Sequence, residues 1–375
     1  MPLSGFTSNN LSVDLAAVTD PDLIARYADV FAGALNFRNS DAEIMRYPFP
    51  FGGDRYDLKI GVEPHDRTGE TGAFHAFFDI DEHYLAAIAD RAATLKRDPS
   101  RFNALPHMIE AQWEAMDYIM SNVAYDFPKD FSYIRDGNTI YWQNRLLGID
   151  HVLKYGDREG LPCDPLEYIT RQVQGDFALL DQRDGSLWLD AGMITEAGGW
   201  SFDFIFGMDW RGIHGPVKAE AENRVIERAL KMTMSLAAHA PQRRVNWLLT
   251  IKPRLDISLE NRPYTLGDSL GNQPGNLPDD LFMRTEFQQL YRLPKSNAII
   301  FVLRNYLASF RELARCRKWA IRMHRVLRDL DPTLERFAYT TNRSEIVEWL
   351  SQFDDGRELS PGRGPDQDAL DPEWR

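Results

Sequence analysis

Apolar residues recur at helical spacing over residues 21–37, where Leu23, Ile24, Tyr27, Val30, Phe31 and Leu35 follow an Asp-Pro-Asp start. The same period returns over 82–95 and 105–123, so three N-terminal helices are expected. Residues 40–80 are rich in Gly, Pro and Asp, with strand-like runs at 56–62 and 74–78. Segment 124–165 is aromatic and turn-rich and reads as a packed connection.

After Asp164 and Pro165 the period shortens. Runs at 177–181 and 187–190 flank Asp184-Gly185, a hairpin signal, and further strands are expected at 245–251, 282–291 and 298–305. A helical pattern at 219–238 places Val225, Ile226, Ala229, Leu230, Thr233, Leu236 and Ala237 on one face. Two strands, a helical excursion and three strands are the order of a PAS-type α+β domain, whose excursion, 193–218 here, would cradle a ligand. The Gly- and Pro-rich stretch 256–280 reads as a lid-like loop inserted between the third and fourth strands.

The pattern closes with a helix at about 304–330, a shorter one at 344–353 and a tail from 354 to 375 with few apolar residues. The expected organisation is therefore a mainly helical region at 1–164 packed on the core, a PAS-like core at 165–310, C-terminal helices at 311–353 and a disordered tail. In the long C-terminal helix Leu313, Cys316, Ala320, Met323, Leu327 and Leu330 form one stripe. Arg311, Arg315, Lys318, Arg322 and Arg325 form the other. That second stripe is read either as a solvated face or as an exposed basic ridge that docks an electron-transfer partner.

Composition narrows the function. The 375 residues include 9 Trp, 14 Tyr and 21 Phe, which suits a folded, aromatic-rich globular chain. With 43 basic and 56 acidic residues the net charge is -13, which argues against nucleic acid and anionic lipid as partners. Two isolated cysteines, Cys163 and Cys316, exclude zinc ribbons, cysteine-ligated iron–sulfur clusters and covalently attached haem, and they fit a reducing compartment. No basic leader followed by an apolar run opens the sequence, and no apolar run approaches ~18 residues, so a cytoplasmic protein is expected.

Candidate chemistry is sparse, because no dinucleotide, P-loop, zincin or nucleophile-elbow motif occurs. His214 lies between Gly212 and Gly215-Pro216 next to aromatic residues including Trp210. It is read as a hydrogen-bonded capping residue or as an axial ligand to haem iron, with His239 as the next candidate for the latter. On the fourth strand Arg284, Glu286, Gln288 and Arg292 share one side, while Met283, Thr285, Phe287 and Tyr291 share the other. Either side would serve as pocket or core. On the third strand Trp247 lies on the apolar side and Asn246 on the other, Trp247 being a packing residue or a cofactor wall.

Taken in order, Val173-Gln-Gly-Asp-Phe-Ala-Leu-Leu180, Gly199-Trp200, Gly212-Ile-His-Gly-Pro-Val217, Arg244-Val-Asn-Trp247, Arg284-Thr-Glu286 and Arg292-Leu-Pro-Lys-Ser-Asn297 resemble the alpha (haem) subunit family of haem-dependent oxidative N-demethylases. The resemblance implies a PAS-fold domain holding haem b that activates O2 and oxidises a small secondary amine, dimethylamine in the characterised case, to a primary amine and formaldehyde. It implies electrons from a reductase carrying FMN and a [2Fe–2S] cluster and fed by NADPH. Under it His214 is the metal ligand, and Trp210, Asn246 and Trp247 line the cofactor. Glu286 faces the amine, and Arg284 or Arg292 pairs with dioxygen or a propionate. Gly175 where the family commonly has Glu, Lys218 after the Pro-Val pair, and the aromatic Phe202, Phe204, Phe206 and Trp210 depart from the family pattern and bear on the substrate. A haem-PAS sensor without turnover and a haem-free scaffold are the rival classes.

Overall fold

Strand alternation and two tight turns account for the centre of the molecule. The computed structural model describes residues 38–56, 61–67, 72–215, 220–251, 253–261, 276–331 and 343–360, so the helix expected at 21–37 and most of the strand expected at 56–62 lie outside the described residues. Ten strands are numbered in chain order: β1 (Glu63–Pro64), β2 (Phe102–Ala104), β3 (Phe131–Asp136), β4 (Thr139–Asn144), β5 (Ile149–Lys154), β6 (Asp176–Arg183), β7 (Ser186–Met193), β8 (Gln242–Ile251), β9 (Leu281–Arg292) and β10 (Ile299–Ser309). Seven form one antiparallel sheet in the order β1-β8-β9-β10-β6-β7-β2. Asp184 and Gly185, with φ of 53° and 69°, make the two-residue turn that sets the register Arg183 opposite Ser186 in the β6–β7 hairpin.

One face of this sheet carries two apolar clusters. Among the described residues the helices α1 (Asp41–Arg46), α2 (Tyr84–Arg97) and α3 (Ile109–Asp126) precede the meander, and α3 packs with β3, β4 and β5 against Phe177, Leu179, Tyr291, Ile300 and Val302. Segment 124–165, expected as a connection, therefore contains a three-stranded antiparallel meander. Its strands are only six residues long, and in β3 Arg135 stands on the inward side with Tyr133, both meeting Asp117 of α3, while the apolar Ile134 is exposed on the outward side, which inverts the expected alternation. Residues 74–78 form turns rather than a strand, although Phe77 and Phe78 are buried.

The C-terminal end differs from expectation in three respects. Residues 304–309 continue β10 in register with β9, from Arg304 opposite Phe287 to Ser309 opposite Phe282. Ser309 then caps a short helix, 310–313, through a reciprocal capping box with Glu312, and a separate helix follows at 317–328. The apolar stripe Leu313, Cys316, Ala320, Met323, Leu327 and Leu330 packs into the core with Met283 and Phe287.

The opposite stripe is not an exposed ridge. Lys318 and Arg322 are buried beneath residues 51–54 and 354–360, Arg325 pairs with Asp54 and Asp354, and the exposed Arg311 and Arg315 pair with Asp279 and Asp41. Residues 354–360 are correspondingly tethered, with Leu359 buried and the Asp354 carboxylate accepting from Arg325 and His324. No helix among the described residues is long and apolar enough to cross a membrane.

Candidate functional site

The register of β8 against β9 sets Asn246 opposite Glu286, Arg244 opposite Gln288 and Leu248 opposite Arg284. Alternation sends these six side chains to one face and Val245, Trp247, Leu249, Met283, Thr285 and Phe287 to the other. The second set packs with the C-terminal helices, so the first set faces the excursion. There Ala178, Leu180, Leu290 and Phe301 meet Phe202, Phe206, Trp210, Ile213 and Leu230. The even positions thus form the inner face of a covered sheet.

Glu286 is 6% exposed and held in place by neighbouring amides. Its Oε2 accepts from Asn246 Nδ2 at 3.2 Å and from Gln288 Nε2 at 3.1 Å, while Oε1 lies 3.9 Å from Arg284 Nε. Arg284 is fully buried. Its Nη1 donates to the Leu255 carbonyl at 2.7 Å, and its Nη2 donates to the Glu196 carbonyl. Only its Nε, without a hydrogen-bond partner, is directed toward the carboxylate. Gly198 closes over both groups, for a Cβ there would come within 2.8 Å of Glu286 Oε1 and 3.6 Å of Arg284 Nε.

His214 ends a one-turn helix, Trp210–His214, that is built from local signals. Asp209 caps it by accepting from the Gly212 amide at 2.9 Å and also accepts from Ser186 Oγ at 3.2 Å, which fixes the turn to β7. Trp210 Nε1 donates to the Ile226 carbonyl and Arg211 pairs with Glu227, so the turn is tied to the next helix, Glu220–Met234. The imidazole packs on the Trp210 ring at 4.5 Å, and its Nδ1 lies 2.7 Å from the Trp210 carbonyl oxygen. With Nδ1–H donating to that carbonyl, Nε2 is left unpaired and carries the lone pair. Desolvation by its surroundings holds the His214 pKa below the usual imidazole value, and the nearby Arg244 guanidinium adds to the effect.

The structure brings Asn246, Glu286 and Arg284 together on this face, packs Trp210 against it, leaves His214 exposed at the end of the covering turn within reach of the Arg244 charge, and takes two expected residues away. Trp247 lies on the opposite side, edge-on to Phe51 at 5.0 Å and Tyr56 at 5.4 Å, so it is no part of the inner wall. Arg292 shares the strand side of Glu286, but its guanidinium is consumed as a clamp: Nη2 donates to the Met234 carbonyl at 2.9 Å, Nη1 to Asn297 Oδ1 at 2.8 Å, and Nε to the Leu236 carbonyl. It fixes the end of the excursion helix and has no nitrogen to offer a ligand.

Two residues were not singled out by sequence. Arg244 is read from the same alternation as Asn246, yet its importance depends on its lack of partners. Gly198 matters through a close approach that no local pattern announces. A second cluster, His107, Asp181 and Asp190, brings potential metal ligands together, but Arg183 already donates to both carboxylates and supplies the positive charge.

Residues 70–346, well over half of the chain, match the family described as haem-dependent oxidative N-demethylase, alpha subunit-like. The chain belongs to that family. The oxidative N-demethylase alpha-subunit-like family is haem-dependent by its description, and the residues present fit a haem. An imidazole with one nitrogen fixed by a carbonyl and the other free is the donor a haem iron takes, the aromatic wall suits a macrocycle, and the half-buried Arg244, whose Nε has no partner, suits an anionic substituent.

Proposed function

We propose that this chain is the haem-b-binding, O2-activating subunit of an oxidative N-demethylase for a small methylated secondary amine of the dimethylamine kind. The observation that carries this reading is His214, with Nδ1 held by the Trp210 carbonyl and Nε2 free, at the exposed end of the turn that packs, through Trp210 and Ile213, on the sheet face bearing Glu286. A PAS-like core is supported by the strand order β8-β9-β10-β6-β7, in which the first and last strands of the unit pair at its centre while the helical excursion covers one face. His214 holds the iron through Nε2, and Trp210 and the Asp209 cap fix the ring's orientation. The bound haem supplies the site at which dioxygen is reduced.

The other steps belong to this chain's own side chains. Glu286 takes the protonated amine, because a carboxylate opposite an ammonium offsets the cost of burying that cation. Its free Oε1 then accepts a proton from the substrate nitrogen while Asn246 and Gln288 keep Oε2 in place. Arg284 is a positioning residue that seals the floor, and Phe202, Phe206 and Ile213 limit water. The balance is one methylamine group and O2, with two electrons and two protons, giving the demethylated amine, formaldehyde and water. The electrons come from a cytoplasmic reductase partner carrying FMN and [2Fe–2S] and using NADPH.

The test is a spectrum followed by an oxygen electrode. Purified protein is expected to show a Soret band, and His214→Ala is expected to lose it while keeping its far-UV circular dichroism. Dimethylamine is expected to stimulate oxygen uptake with formaldehyde appearing in equal amount. An unchanged Soret band in His214→Ala, or oxygen uptake indifferent to every small secondary amine, overturns the reading.

A further inference from the structure

Arg244 is a half-buried guanidinium whose Nε has no hydrogen-bond partner among the described residues. It lies on β8 opposite Gln288 and two residues from Asn246, on the side of the sheet that carries Glu286. Its Nε is sealed from solvent without a hydrogen-bond partner, and burial lowers its pKa. Tyr56 and Glu286 are the groups that act on its charge, and Glu286 is already engaged with Asn246, Gln288 and Arg284. The other guanidinium groups on this face have their terminal nitrogens held by carbonyls: Arg284 donates to Leu255 and Glu196 and leaves only its Nε, beside Glu286, without a partner, and Arg292 donates to Thr233 and Met234.

Arg244 is half-buried: its Nε is sealed without a partner while its terminal nitrogens are not, so an anion bound on this face can reach the fork and complete its hydrogen bonding. The planar fork of arginine matches a carboxylate, with which it forms two charge-assisted hydrogen bonds. We infer that Arg244 is the anchor for a carboxylate of the ligand bound on this face. The inference rests on the reading of that face as the haem and substrate site. A carboxylate there has two sources, a propionate of the cofactor or the acid group of an N-methyl amino acid, and both place the anion at Arg244 and leave Glu286 for a cation.

The experiment uses the full chain in haem-free and haem-loaded form, as wild type, Arg244→Leu and Arg244→Lys. Haem-free protein is titrated with haemin and with its dimethyl ester, which has no free carboxylate. Haem-loaded protein is titrated with N-methylglycine and dimethylamine, read from the Soret shift. A propionate anchor predicts that wild type prefers haemin to the ester by about tenfold to a hundredfold, that Arg244→Leu loses the preference, and that Arg244→Lys restores part of it. A substrate anchor predicts unchanged haemin affinity, with the N-methylglycine shift lost in Arg244→Leu and the dimethylamine shift retained.

Equal behaviour of wild type and Arg244→Leu toward all probes overturns the inference. So does a marked fall in the melting temperature of haem-free Arg244→Leu, which would reveal a structural partner, since removing a half-buried guanidinium that holds no protein group in place is expected to leave the haem-free fold at least as stable. If wild type takes up no haemin, the haem reading fails by itself. A melting shift caused by N-methylglycine in wild type alone then sustains the carboxylate anchor, and its absence removes it.

Discussion

Strands β8 and β9 present two faces built from alternate residues of the same two segments, and the faces have opposite characters. On one, Trp247, Leu249, Met283 and Phe287 meet Trp319, Met323 and Leu327, and the Phe49 and Trp319 rings stack at 4.8 Å. On the other, Arg244, Asn246, Arg284, Glu286 and Gln288 stand in a row beneath the excursion, with Arg284 Nε and Arg244 Nε lacking partners. Apolar and aromatic packing fills the first face, whereas the second sets a carboxylate, two guanidinium groups and two amides side by side. A concentration of charged groups on a covered face, rather than apolarity, is what marks it as a site.

The largest effect that tests this contrast is expected at Glu286. Glu286→Gln preserves shape and can still accept from Asn246, but removes the charge, so amine-dependent oxygen consumption is expected to fall by ~10²–10³ with haem content unchanged. Trp247→Phe, next to Asn246 in β8 but on the other face, is expected to change stability and leave amine dependence intact. If both variants alter turnover alike, the division into a closed face and a working face is wrong.

Arg292 comes next, because it shares the side of Glu286 but behaves as part of the scaffold. Arg292→Leu removes charge-assisted hydrogen bonds to the Thr233 and Met234 carbonyls at 3.1 and 2.9 Å and to Gln182 at 2.8 Å. A loss on the order of 3 kcal/mol in unfolding free energy is expected, measured by the urea midpoint. A fully stable variant with altered haem or oxygen binding would return Arg292 to the site.

The strands of the core were legible because their signals are local: alternation, the Asp184-Gly185 turn and the Leu293 to Asn297 connection. The meander was not, since its strands are short and β3 turns Arg135 inward and the apolar Ile134 outward. Tyr306, Leu307 and Ala308 fit a helical period as readily as a strand, and only pairing with Thr285, Arg284 and Met283 decides for β10. In the site, alternation grouped Arg284, Glu286 and Arg292 on one side of the strand. It was silent about which carbonyls would meet each guanidinium, and that is what separates a sealing arginine from a clamp and from the unpaired Arg244. The side-chain chemistry is written in sequence, but its saturation is a property of long-range packing.

A smaller effect is expected from pH at the closed face. His65 is buried against Phe77, Phe287 and Tyr291, and burial lowers its pKa from 6.5 to about 3, with Arg243 and Arg67 reinforcing the shift. The folded state therefore holds the ring neutral while the unfolded chain protonates near 6.5. This contribution to stability is complete above that value and is lost as pH falls toward 3. His65→Phe keeps a ring in the aromatic cage and is expected to flatten the fall in urea midpoint between pH 7 and pH 4.5 relative to wild type. Parallel curves for the two proteins would mean that His65 carries its proton in the fold.

The smallest effect concerns the helix stripe that resembles a basic docking ridge. Arg315 is exposed and pairs with Asp41 at 2.6 Å, and Arg311 pairs with Asp279 at 2.7 Å, so the surface charge there is already balanced. Exposed pairs contribute about 0.2–1 kcal/mol, and Arg315→Glu is expected to change stability by no more than that while leaving reductase-supported turnover unaltered. Arg322→Glu, although it reverses the same charge two turns along, is expected to unfold the C-terminal packing, because its guanidinium is 1% exposed and donates to the Phe51 and Ser360 carbonyls. The pair of variants separates a surface role from a structural one. Salt-sensitive slowing of turnover in Arg315→Glu would place the partner on this helix in spite of its balanced charge, since attraction between exposed charges is screened beyond a Debye length of ~8–10 Å.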